Sequence, residues 1–321
     1  MNARITGTGS AMPAHSVHNR DFERIIDTSD AWIRSRTGIE RRPISLEENT
    51  SDLALEAAKR AISAAAISVQ EIDLVIVATV TPDTVFPGVA HILQRKLGLR
   101  DVPAFDVNAA CTGFVYALEI ADKMIGSGVY RCALIVGAET LSKITDFEDR
   151  NTCVLFADAA GAMVLEARET ASIEAIALHA RGDTEGFLKL DGYPLKQDFK
   201  SPPGERPFLR MQGSEIFKFA STVLPETVKE LLRRSGTDLD DIRLIVAHQA
   251  NRRIIEKAAR TLDFPMEKMY LNIERTGNTS AASVPLAVDE AIRAGKLQPG
   301  DLFIIVAFGA GLTWGGALIR L

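Results

Sequence analysis

The strongest constraint on this chain is that its two halves repeat one pattern at a fixed spacing. Leu74-Val75-Ile76-Val77 and Ala133-Leu134-Ile135-Val136 are short, β-branched apolar runs of the kind buried on both faces of a parallel sheet. Moving 170 positions along from each run lands on Leu244-Ile245-Val246-Ala247 and Phe303-Ile304-Ile305-Val306. The same spacing pairs two stripes at helical periodicity, Phe114, Ala117, Leu118 and Ala121 with Val284, Ala287, Val288 and Ala291. Residues 161–165 and 316–320 match at a slightly smaller offset and read as the last strand of each half. Strand–helix–strand patterns look alike in any α/β protein, but one offset that fits two strands and a helix favours an internal duplication. The expectation is an α/β chain of two pseudo-symmetric, βαβ-rich halves, residues 1–170 and 171–321. A pseudo-twofold axis then brings the helices beginning near Cys111 and Ala281 together by their N-termini, at a central site.

Composition narrows the function classes. Among 321 residues, 46% are hydrophobic and 25% charged, enough apolar material for a sizeable core. The net charge of −5 offers no general attraction to nucleic acid, so an acidic partner has to be met by a local basic patch. The first nine residues carry no basic segment followed by an apolar run, and no apolar stretch approaches the roughly 18 residues of a membrane span, so a cytoplasmic location is expected. Cys111, Cys132 and Cys153 cannot all pair and match no zinc or redox spacing, which predicts free thiols and no metal. The stretch 185–207, with Asp191-Gly192-Tyr193-Pro194 and Ser201-Pro202-Pro203-Gly204, has little periodicity and reads as a long loop, a candidate substrate wall.

The candidate chemistry lies at strand ends. Cys111, within Asn108-Ala109-Ala110-Cys111-Thr112-Gly113, marks a strand-to-helix junction made of small residues. Free N–H groups and the helix dipole there favour thiolate over thiol and offer donors to an oxyanion. His248 directly follows the run 244–247, at the carboxyl end of a parallel strand where open α/β sheets bind ligands; a satisfied loop histidine is the alternative. Asn278 precedes the helix that matches the one after Cys111, as a helix cap or as an amide donor to substrate. After the last buried strand come Phe308-Gly309-Ala310-Gly311, an ordinary turn or a place where backbone approaches substrate and the N–H of Ala310 joins that of Cys111. A predicted helix over 249–262 aligns Arg253, Lys257 and Arg260 on one face, with Lys218 a possible addition. This is a solvated stripe or a surface for an acidic carrier. Trp32 and Arg36 share a predicted helix near the N-terminus, where the indole could stack on a purine and the guanidinium meet phosphate, although a helical Trp is more often core.

These motifs together resemble the β-ketoacyl-acyl carrier protein synthase III family, initiating condensing enzymes with a thiolase-like fold. The likeness rests on Asp30-Ala31-Trp32-Ile33, Arg36-Thr37-Gly38-Ile39, Ala109-Ala110-Cys111-Thr112-Gly113-Phe114, His248-Gln249-Ala250-Asn251, Gly277-Asn278-Thr279-Ser280-Ala281-Ala282-Ser283 and Phe308-Gly309-Ala310-Gly311. It implies an α/β/α/β/α layering and a decarboxylating Claisen condensation of an acyl-coenzyme A with malonyl-acyl carrier protein. It assigns Cys111, His248 and Asn278 to catalysis, and Thr28, Trp32, Arg36, Arg150, Gly213 and Asn251 to coenzyme A. Gln249, Ala250, Asn251, Arg252, Arg253, Lys218 and Lys257 would meet the carrier protein. Phe86 and Phe308 would line the acyl pocket, Phe86 by crossing a homodimer interface. Coenzyme A enters as a substrate, and no cofactor is implied.

Other readings are a papain-like hydrolase, whose cysteine lies near the N-terminus, and a thiolase or hydroxymethylglutaryl-coenzyme A synthase relative, which would carry a second cysteine or a glutamate. An acyltransferase of secondary metabolism stays open, as does an inactive acyl-carrier-binding homologue.

Overall fold

A computed structural model of the protein describes residues 1–192 and 207–321. In chain order its main strands are β1 (Asn2–Ala11), β2 (Leu74–Ala78), β3 (Ala104–Val107), β4 (Cys132–Thr140), β5 (Asp158–Arg168), β6 (Ile173–Ala180), β7 (Leu244–Ala247), β8 (Leu302–Gly309) and β9 (Thr313–Arg320). Its main helices are α1 (Asp30–Thr37), α2 (Thr50–Ala65), α3 (Val89–Leu97), α4 (Gly113–Gly126), α5 (Gly213–Ser235), α6 (Arg252–Leu262) and α7 (Ser283–Arg293). The first sheet runs β1-β5-β4-β2-β3 and the second β6-β9-β8-β7, and the chain passes from one to the other between Arg168 and Ile173.

Both sheets are built by the same rule. β2 pairs parallel with β4 in the register Leu74 to Ala133, and β7 pairs parallel with β8 in the register Leu244 to Phe303, so the offset of 170 holds down to the paired residues. The final strands then return antiparallel. Here one expectation is corrected. Gly161 faces Gly137, whereas Ala307, 170 positions after Gly137, faces Gly315, so Gly161 corresponds to Gly315 and the matched strand starts one residue earlier than the sequence suggested. In a strand that slip exchanges the two faces. The halves also differ at one edge, because among the described residues β3 has no full counterpart beyond β7, only a single parallel bridge between Ile245 and Met269.

Five layers result. Helices α4 and α7 lie between the sheets, where Phe114, Leu118, Val284 and Val288 pack against Ile76, Ile135, Phe303 and Ile305. Outside, α2 and α3 cover the first sheet, and α5 and α6 cover the second. Strands covered on both faces explain why the central runs are continuously apolar. Close layering depends on small residues: a Cβ on Gly9 would come 2.3 Å from the carbonyl oxygen of Ala57, so β1 and the Ala-rich face of α2 meet backbone to backbone. No helix among the described residues is long and apolar enough to cross a membrane.

Candidate active site

The centre is formed by two turns of one shape. Residues Ala110–Thr112 and Ser280–Ala282 are single 3-10 turns leading into α4 and α7. Ala110 and Ser280 both take the left-handed conformation, with φ of 47° and 48°. In each turn an asparagine side-chain oxygen accepts the N–H two residues on, Asn108 from Ala110 at 3.3 Å and Asn278 from Ser280 at 2.9 Å. The turns abut the opposite sheets. A Cβ on Gly309 of β8 would lie 2.8 Å from the nitrogen of Cys111, and one on Gly137 of β4 would lie 2.3 Å from the carbonyl oxygen of Ala281. Small residues at both places let Cys111 reach the centre of the molecule.

Cys111 is buried, and burial pushes its thiol up to about 12, further raised by nearby Glu139 and partly relieved by the Ser280 hydroxyl. Burial therefore opposes the thiolate that the turn's dipole favours.

His248 follows β7 as expected. Its N–H donates to the carbonyl of Val306 at 2.8 Å, and its ring stands edge-on to Phe308 with centroids 5.3 Å apart. At 1% exposure the imidazole is pushed down by burial to about 3, so it is neutral at physiological pH, and Nδ1 is buried without a partner. A neutral ring can donate one hydrogen bond into the cavity. Asn278 is locked by backbone bonds to the first half, donating to Leu155 and accepting from Ala157, both at 2.9 Å. Because Oδ1 already accepts from Ser280, the amide Nδ2 is left as a donor. Asn278 thus braces the turn through Oδ1 while its Nδ2 remains able to donate.

Cys111, His248 and Asn278 line one cavity of about 720 Å³, together with Trp32, Arg36, Gly213, Lys218, Ala250, Asn251, Arg253, Phe308 and Gly309. Its polar rim is basic. Arg150 lies with its guanidinium 4.0 Å from the centre of the Trp32 ring, and Arg253 and Lys257 each sit 5.5 Å from that of Phe217. Asn251 caps α6 and also donates to the carbonyl of Arg36, at 3.0 Å, joining the two basic helices. The hydroxyl of Thr28 is buried without a partner.

A second cavity of about 200 Å³ meets Cys111 from the other side, lined by Val80, Leu141, Ile144, Phe156, Leu188, Leu190, Leu209, Ser280 and Ala310 among others. Leu188 and Leu209 belong to the flanks of the predicted 185–207 loop; its central Gly/Pro-rich part, 193–206, lies outside the described residues.

Several sequence expectations need correction. Phe308 borders the larger cavity beside His248, not the second one. No correction falls on Phe86, which lines neither cavity of its own chain and is 85% exposed, as a residue expected to act across a dimer interface would be. Gln249 cannot meet a protein partner: at 1% exposure, its side chain donates to Ala247 and Tyr270 and accepts from Asn272. Arg252 is exposed but paired with Glu256 at 2.8 Å, and α6 begins at Arg252 and not at Gln249. Sequence reasoning missed the apolar second cavity, whose residues come from eight separate stretches of chain with no shared periodicity. It also missed Ser280 and Glu139. The signal for Glu139 was there: one carboxylate near the end of the otherwise largely apolar β4.

Two family descriptions match the chain: "3-Oxoacyl-[acyl-carrier-protein (ACP)] synthase III" over residues 105–183, and its "C terminal" counterpart over residues 232–321. A curated beta-ketoacyl-[acyl-carrier-protein] synthase III from Clostridium perfringens (strain SM101 / Type A) is 49% identical, covering 100% of this chain and 99% of the relative. The solved 3-oxoacyl-[acyl-carrier-protein] synthase III of Aquifex aeolicus VF5 superposes with a TM-score of 0.93 at 44% identity, over 99% of this chain and 100% of that one. The priming beta-ketosynthase of the R1128 polyketide biosynthetic pathway also gives 0.93, at 34% identity, over 100% of this chain and 96% of that one.

Proposed function

The chain belongs to the 3-oxoacyl-[acyl-carrier-protein] synthase III family, the initiating condensing enzymes of fatty acid synthesis, and from that premise we propose how its residues divide the reaction. The observation that carries the reading is the position of Cys111, at the junction of a wide, basic-rimmed cavity and a small apolar one. An acyl-coenzyme A enters the wide cavity, with Trp32 and Arg150 offering flat faces to the adenine and Arg36 a charge to phosphate; Thr28, Gly213 and Asn251 complete that wall. A base stacks on Trp32 by displacing the guanidinium that now covers it. The acyl chain occupies the apolar cavity.

Cys111 attacks the thioester carbonyl, and the N–H groups of Cys111 and Ala310 hold the oxyanion until coenzyme A leaves. Malonyl-acyl carrier protein then docks at the rim, where Arg253, Lys257 and Lys218 face its acidic surface and Ala250 and Asn251 form the floor. Loss of carbon dioxide leaves an enolate whose oxygen accepts hydrogen bonds from His248 and Asn278, and its carbon attacks the acyl-cysteine. Decarboxylation makes the carbanion without a base, so a neutral imidazole is the protonation state this step needs. No cofactor has a role in this scheme.

Exposed Phe86 and its neighbour Val85 form an apolar tip suited to a homodimer, in which Phe86 closes the partner's acyl cavity. The scheme operates in the cytoplasm, and residues 1–170 and 171–321 act as two duplicated halves around one site. Intact-protein mass spectrometry after exposure to acetyl-coenzyme A tests the reading: an acetyl adduct on the natural chain, absent in Cys111→Ala and discharged by malonyl-acyl carrier protein, is expected. An adduct that survives Cys111→Ala would refute it.

A further inference from the structure

Among the described residues, the largest side chain buried completely is that of Arg42, which the scheme above does not use. It lies in the short antiparallel ribbon formed by Ser16–His18 and Arg41–Pro43. Burial pulls its guanidinium down to about 10, which leaves it charged at neutral pH, and burial pushes the neighbouring Cys153 thiol up to about 11, which leaves that group neutral. No carboxylate pairs with Arg42 among the described residues, and Nη1 is buried without a partner; Phe22 lies with its ring centre 4.5 Å from the guanidinium carbon. A cation so placed is costly to bury, and an apolar side chain would fill the space without that cost.

The guanidinium grips one carbonyl. Nε and Nη2 both donate to the oxygen of Val154, at 2.9 and 2.7 Å, and Nη2 also donates to Oδ1 of Asn19 at 2.8 Å. Asn19 is itself fixed with that oxygen toward Arg42, because its amide nitrogen donates to Asp30 at the start of α1 and to the carbonyl of Ile39, at 2.8 and 2.7 Å. Val154, Leu155 and Phe156 wall the wide cavity, and the carbonyl of Leu155 and the N–H of Ala157 make the two backbone bonds that hold Asn278. Gly277 just before it takes a φ of 61°, and a Cβ there would lie 3.1 Å from the Leu155 oxygen and 3.2 Å from Cγ of Arg42. The arginine stem thus closes on the residue before Asn278 while its head holds the segment beside it.

We propose that Arg42 is a positioning residue for condensation: by clamping the Val154 carbonyl, it sets where Asn278 presents its amide to the enolate. The idea rests on Asn278 as the enolate donor read above. Arg42 touches no reacting atom itself. The Cys111 turn abuts Gly309 of β8 instead, so acylation does not pass through this clamp.

A double-substitution cycle tests this where activity alone could not. Arg42→Lys keeps the charge but replaces the two-pronged grip by a single ammonium. In single turnovers, acylation by saturating acetyl-coenzyme A should stay within about threefold of the natural rate, while the preformed acyl-enzyme should condense with malonyl-acyl carrier protein at least ~10-fold more slowly. In an Asn278→Ala background the same substitution should slow condensation by less than about twofold further, because the group it places is gone. Arg42→Met, which removes the buried charge, should show the same split and preserves the test if the lysine variant fails to fold. Equal losses in both half-reactions, no loss in either, or a full loss that persists without Asn278 assigns Arg42 to the fold alone and overturns the proposal. Condensation unchanged in Asn278→Ala by itself overturns the reading of Asn278 as the donor, and the proposal with it, so that single variant tells the two failures apart.

Discussion

The turns at 108–113 and 278–283 share a backbone and divide the chemistry. Each opens with an asparagine that accepts the N–H two residues on, each passes through a left-handed residue, and each starts a helix of the central layer. In the first, Asn108 is exposed and Cys111 stands at two cavities; in the second, Asn278 is 7% exposed and Ala281 fills the place of the cysteine. The position matching His248, 170 residues earlier, is Ala78 at the end of β2. A repeated scaffold thus holds an asymmetric site, and in the proposed scheme the first half gives the nucleophile and the second half the two donors. The difference arises from side-chain identity and from which turn faces an open cavity, since the backbones agree.

The comparison breaks most sharply at the cysteine. Cys111→Ala makes the first turn chemically like the second and should lower acyl transfer by at least ~1,000-fold, measured by release of coenzyme A. Adding Ala281→Cys in that background should not restore an adduct, because Ala281 borders neither cavity; an acylated Cys at 281 would show that the turns are interchangeable. The asparagines come next. Asn278→Ala should reduce condensation by roughly 100-fold or more, as for other lost oxyanion donors. Asn108→Ala should lose only a cap, about 1 kcal/mol of stability in urea unfolding, with condensation within a few-fold of normal.

His248 sharpens the contrast with Ala78 through pH. Its folded pKa of about 3 lies below the ordinary 6.5, so the unfolded chain binds a proton that the folded one does not. The stability this contributes is complete above about pH 6.5 and is lost as pH falls toward 3. Unfolding free energy should therefore fall less steeply over that window in His248→Asn, as followed by urea titrations at several pH values. The smallest effect concerns the shared backbone. Ala110→Gly relieves a left-handed residue and should stabilise by at most about 1 kcal/mol without moving the cysteine; a clear loss of stability would mean that the turn relies on the Ala110 methyl group.

Much of this was legible in the sequence because buried parallel strands are read as continuous apolar runs and the duplication fixed their register. Cys111 and His248 were read at strand ends, and Asn278 from the helix that matches the one after Cys111. What escaped depends on three-dimensional neighbours. Gln249 entered the docking stretch through the family resemblance, yet its amide is consumed by backbone groups of 247, 270 and 272. The direction of Phe308 follows from the alternation of β8, and in a continuously apolar strand that runs into glycine-rich sequence the residues give no face to read. Dipole reasoning favoured a thiolate at Cys111, and the burial that opposes it comes from residues far away in the chain.

The division of labour between halves is tested most directly by single-turnover rapid quench on His248→Ala. With acetyl-coenzyme A alone, acylation of Cys111 should proceed within about threefold of the natural rate, while the preformed acyl-enzyme should condense with malonyl-acyl carrier protein about 100-fold more slowly. If acylation falls as far as condensation, the imidazole serves both half-reactions and the assignment of one step to each half is contradicted.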